Sequence, residues 1–110
     1  MSFKFEKLIV WQKSVDLSAE IHKLTLQFPK EEIYVLTSQI KRAADSVSLN
    51  IAEGSTGQTN PEFKRFLNMA LRTCIEVVGC LYLAKRRDLI DDVNLEMGKM
   101  YARFYTFFIR

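Results

Sequence analysis

Residues 60–87, NPEFKRFLNMALRTCIEVVGCLYLAKRR, decide the fold. Phe63, Leu67, Ala70, Cys74, Val77, Leu81 and Ala84 recur at alternating spacings of four and three. An α-helix brings such positions onto one stripe, and a seam of this length needs other helices to cover it. The start is equally readable. Asn60 suits an N-cap, Pro61 the first helical position, and Glu62 the positive end of the dipole. Lys85, Arg86 and Arg87 place cations at the C-terminus, so the spacing predicts a helix over 61–87.

Upstream, QIKRAADSVSLNIAEGS (residues 39–55) continues the pattern. Leu36, Ile40, Ala43, Ala44, Val47 and Ile51 line one face of a helix over 31–53, and Gly54 is expected to close it in the left-handed conformation. GSTGQTN then reads as a loop. A first helix over 7–27 carries two stripes: Leu8, Trp11, Val15 and Ser18 beside Leu17, Ile21, Leu24 and Phe28, ended by Pro29. Downstream, Asp91 or Asp92 can cap a helix over 92–109, with Val93, Met97, Met100, Phe104 and Phe107 on one face and Tyr101 and Phe108 beside it. Four helices with short connections predict an all-α, antiparallel up-down-up-down four-helix bundle forming one domain, 1–110.

Composition agrees. The chain has four glycines and two prolines, too few for a many-turned β protein. His22 is the sole histidine, and Cys74 and Cys80, six residues apart, point away from each other, so neither a zinc site nor a disulfide is expected. No continuous apolar run reads as a membrane span, and the N-terminal residues carry no secretory pattern, so a cytoplasmic setting is expected. Phosphate loops, nucleophile elbows and cofactor motifs are missing from the sequence, which argues against an enzyme.

FEKLIVWQKSVDLSAEIHKLTLQFPKEEIYVLTSQIKRAADSVSLNIAEGS, followed by PEFKRFLNMAL and a glutamate one turn past LRT, resembles the 23S rRNA-intervening-sequence protein family over about residues 3–92. The accessory variability protein of diversity-generating retroelements is similar to that family more distantly. The resemblance implies a four-helix bundle that assembles into a homopentameric ring. It also implies nucleic-acid binding of the kind the retroelement protein shows.

The net charge is +3, yet residues 61–87 alone hold six basic and two acidic side chains. Lys41, Arg42, Lys64, Arg65, Arg72, Lys85, Arg86 and Arg87 are the candidate cations for an RNA or DNA backbone. No aromatic alternates with them in a way that suggests base stacking. Asn50, Glu53, Gly54 and Glu76 form the second group. Asn50 is expected to bond the backbone of the following loop and Glu53 to pair with Arg72. Glu76 is expected to pair with Arg72, Lys41 or Arg42. Tyr34, Tyr82, Phe104, Tyr105, Phe107 and Phe108 supply the expected oligomer interface, because FYTFFI is apolar on more than one face. His22 reads as a surface or interface residue. The competing function is a protein-docking scaffold that never meets nucleic acid. A small-molecule pocket inside the bundle has only the Met and Phe content of the last helix behind it.

Overall fold

The computed structural model describes residues 1–57 and 59–109. Four α-helices account for most of them: α1 (Ile9–Thr25), α2 (Ser38–Gly54), α3 (Asn60–Arg86) and α4 (Asp92–Ile109). Each packs on the next in chain order, giving the up-down bundle that the periodicities predict.

The ends of the helices follow local chemistry. At α1, Thr25 Oγ1 donates to the His22 carbonyl, and Leu26, Gln27 and Phe28 tighten into three-residue turns ahead of Pro29. The chain does not enter α2 directly at Glu31. A 3-10 turn (Lys30–Glu32) and a π turn (Ile33–Thr37) come first, and Glu32 accepts two hydrogen bonds from Arg87 Nη1, at 2.9 and 3.0 Å, instead of merely facing a dipole. The cap of α3 is Thr59, whose hydroxyl accepts from the Glu62 amide at 3.1 Å, one residue earlier than expected. Asp91 caps α4 by accepting from the Asn94 amide at 2.9 Å.

Gly54 corrects its assignment. It is the last residue of α2 without a positive φ, and the left-handed turn falls at Gly57 (φ 91°). A Cβ on Gly54 would lie 2.5 Å from Phe66 Cβ, so the missing side chain permits the close crossing of α2 over α3.

The stripe read from sequence is buried: Leu36 in the π turn, then Ile40, Ala43, Ala44, Val47 and Ile51 of α2. From α1 the core takes Leu17, Ile21, Leu24 and Phe28, whereas Val15 of the other stripe is exposed. By length and composition α3 is apolar enough to cross a membrane, but Ala70, Leu71, Cys74, Val77, Cys80, Leu81 and Ala84 are spent on packing within the bundle.

Helix α4 keeps only part of its expected face inward: Met97, Tyr101 and Phe104 pack half-buried against the core. Gly98 and Tyr105 face the core, while Val93, Met100 and Phe107 are exposed. A Cβ at Gly98 would collide with Leu81 of α3, so the smallest residue of α4 marks its closest approach. Tyr105 is fully buried, and its hydroxyl donates to the Val10 carbonyl at 2.7 Å, tying the end of α4 to the start of α1. It therefore belongs to the core and leaves the expected interface set.

Candidate nucleic-acid interface

The eight basic candidates separate into two kinds. Arg65 pairs with Glu62 at 2.7 Å, Lys85 with Asp92 at 3.5 Å and Arg87 with Glu32 at 2.9 Å. These ties are internal, and the Glu62 carboxylate beside Arg65 raises that guanidinium's pKa, first through the hydrogen bond. Lys41, Arg42, Lys64, Arg72 and Arg86 make no ion pair within 4 Å among the described residues. They do not form one patch. Lys64 and Arg86 lie near opposite ends of α3, about 30 Å apart at 1.5 Å per residue.

Lys41 and Arg42 sit elsewhere, on the outer side of α2. Tyr34, Ser38, Arg42 and Ser46, each four residues from the next, form a line that borders two open grooves. One groove, about 970 Å³, lies toward α1 and adds His22, Lys41 and Asp45. The other, about 570 Å³, lies toward α3 and adds Gln39, Thr73 and Glu76. Tyr34 is 92% exposed, so an aromatic ring stands at the head of the line that carries Arg42. The sequence reading found no aromatic alternating with the cations; in the fold Tyr34 borders the same two grooves as Arg42.

Asp45 is held from α1. Its Oδ1 accepts from Ser18 Oγ at 2.6 Å and meets His22 Nε2 at 2.9 Å. His22 thus has an acid partner that the sequence did not reveal, since nothing in it fixes the register of α1 against α2. Both groups meet the same carboxylate oxygen, so Ser18 is held by Asp45 and is not lined up on the imidazole as an activated nucleophile would be. No group of three His, Cys, Asp or Glu positioned to hold a metal occurs among the described residues.

The second candidate group is dispersed. Asn50 Nδ2 donates to the Ser46 carbonyl at 2.9 Å and to Ser46 Oγ at 3.1 Å, back along its own helix and not into the loop. Glu53 is exposed, and among the described residues no ion pair joins it to Arg72. Glu76 shares the α3-side groove with Arg42 without an ion-pair contact, and it helps burial raise the Cys80 thiol's pKa.

The expected interface aromatics also part company. Phe107 and Phe108 are 78% and 62% exposed on α4, and Tyr82 is 50% exposed on α3. Phe104 is half-buried, 4.6 Å from the Phe108 ring, and Tyr34 stands apart at the head of α2.

Residues 6–103 match the sequence profile of a family described as 23S rRNA-intervening sequence protein. A crystal structure of a protein of unknown function from the S23 ribosomal protein family of Bacteroides thetaiotaomicron superposes with a TM-score of 0.78. It is 24% identical, with 92% of this chain and 94% of that chain covered, and at that identity the likeness concerns the fold alone. No curated protein matches the chain.

Proposed function

The chain belongs to the 23S rRNA-intervening sequence protein family, and from that footing we propose a non-enzymatic subunit of a homo-oligomeric ring, a pentamer, that holds the backbone of RNA or DNA. The observation that carries the binding reading is the set of five cations, Lys41, Arg42, Lys64, Arg72 and Arg86, left without an acidic partner among the described residues. Phosphates release their condensed counterions to such groups without any reading of sequence. Separate patches on one subunit become repeated patches around a ring, and five copies of a +3 chain carry +15. Self-association is supported by Tyr82, Phe107 and Phe108, which leave apolar surface on the α3–α4 side. Glu53, an exposed acid at the negative end of the α2 dipole, is the group that a cation of a neighbouring subunit would meet.

A docking scaffold for another protein is the second reading. Leu26, Ile33 and Leu49, exposed along the α1-side groove, favour it, with Val35 exposed ahead of α2. Light-scattering mass with and without a short structured RNA, at about 50 and 200 mM salt, separates the two. A pentameric mass that rises with RNA only at low salt is the expected result. A pentamer indifferent to RNA at both salts supports the scaffold, and a monomer at all concentrations removes the ring.

A further inference from the structure

We infer that the outer side of α2 binds single-stranded nucleic acid, with Tyr34 as the platform on which an unpaired base stacks and Lys41 and Arg42 meeting the adjoining phosphates. This rests on the backbone-binding reading above and narrows it to a strand type and a place.

The placement starts with the π turn. Five residues, Ile33–Thr37, take this uncommon geometry immediately before α2, and such turns are frequent at functional sites. The turn leaves Tyr34 92% exposed at the junction of the two grooves. Ser38 and Ser46 follow on the same line, and their short side chains keep the surface open on either side of Arg42. An exposed ring, open channels and cations without acidic partners are the elements of a single-strand surface.

The acids decide how a strand would lie. On the α3 side Glu76 repels a phosphate brought beside Arg42. On the α1 side Asp45 is also negative, though Ser18 and His22 hold its Oδ1 toward α1, and only this side adds a second cation, Lys41. Two cations against one on the α3 side direct the backbone along the α1-side groove at Lys41 and Arg42, with Leu26, Ile33 and Leu49 forming the apolar part of that groove. A base inside a duplex is already covered on both faces and has none to offer Tyr34. Only an unpaired base gains from the ring.

The test compares a labelled oligouridine of about twelve nucleotides with an RNA duplex of the same length, by fluorescence anisotropy at low salt. Tyr34→Ala should weaken oligouridine binding roughly tenfold and leave the duplex within about twofold, whereas Tyr34→Phe keeps the ring and should bind as the parent does. Lys41→Ala combined with Arg42→Ala should weaken oligouridine binding and flatten its salt dependence. Light-scattering mass of Tyr34→Ala should equal that of the parent. The inference is overturned if Tyr34→Ala changes neither probe, weakens both equally, or loses subunits, the last making Tyr34 an interface residue. A parent protein that binds duplex but not oligouridine overturns this inference alone. One that binds neither probe overturns the backbone-binding reading with it.

Discussion

Two seams of the bundle solve the same packing problem in opposite ways. Where α2 meets α3, Ala43, Ala44, Ala70 and Gly54 bring the backbones close, and the seam closes tightest at its Gly54 end, away from the open groove beside Arg42. Where α1 meets α4, one buried phenol, Tyr105, anchors the pair through the Val10 carbonyl. Further along, a cleft of about 420 Å³ opens between Lys13 and Glu20 on one side and Met97, Met100 and Tyr101 on the other. Small residues make a seam that tolerates no added atoms. An anchored seam tolerates them but depends on its anchor.

The largest expected effect comes from removing that anchor. Tyr105→Ala deletes a fully buried ring and should cost about 3–5 kcal/mol in chemical denaturation. Tyr105→Phe keeps the ring and loses only the hydrogen bond, for about 0.5–1.5 kcal/mol. Equal losses for the two would show that the hydroxyl, not the ring, holds α1 to α4. Next is the closed seam. Gly54→Ala places a methyl against Phe66 Cβ, an atom that cannot move without its backbone, so about 2–3 kcal/mol of destabilisation is expected. A melting temperature unchanged by Gly54→Ala would mean that the α2–α3 crossing can slide.

Alkaline pH should attack the core through its neutral acids. Burial is the first cause raising the Tyr101 and Tyr105 phenols, and it pushes the Cys74 thiol from 9.0 up to about 12. A folded-state pKa above the unfolded value means the unfolded chain loses its proton first. The stability from these groups is therefore full below about pH 9 and falls as pH rises toward 12. Cys74 and Tyr105, both fully buried, each contribute a slope of up to about 1.4 kcal/mol per pH unit, and half-buried Tyr101 contributes less. Urea midpoints measured across that window should decline for the parent and decline less for Cys74→Ala. A flat parent profile would contradict the burial of Cys74 and Tyr105.

How much of this was legible depends on how each helix distributes its apolar residues. In α2 they are confined to one stripe, with Lys41, Arg42, Asp45 and Glu53 elsewhere, so periodicity alone selects the buried face. Helix α4 is apolar most of the way round. Reading its largest side chains as the core placed Met97 and Phe104 correctly against it but also chose Val93, Met100 and Phe107, whereas the bundle buries Gly98, because proximity to Leu81 outweighs side-chain size there. Gly54 was recognisable as special, and its reason was not: close approach and chain reversal both call for glycine. The cations were countable from sequence, but not their availability. Arg87 is tied to Glu32, 55 residues away, and only the fold brings the two together. The same holds for His22 with Asp45, set by the register of α1 against α2.

The smallest effect is the sharpest test of the contrast between rigid and forgiving contacts. Gly98→Ala also adds a methyl where none fits, but the atom it meets is Leu81 Cδ1, the far end of a flexible side chain. Leu81 can relieve the contact by rotating, for roughly 1–2 kcal/mol in a packed core. Replacing glycine by alanine inside a helix returns roughly 1 kcal/mol. Gly54, at the last residue of α2, recovers little of that helix term, and its neighbour Phe66 cannot rotate the clashing atom away. Gly98→Ala should therefore cost no more than about 1 kcal/mol and shift the urea midpoint less than Gly54→Ala does. If Gly98→Ala proves the more damaging of the two, Leu81 is locked in its rotamer. The least forgiving contact of the bundle then lies between α3 and α4, not between α2 and α3.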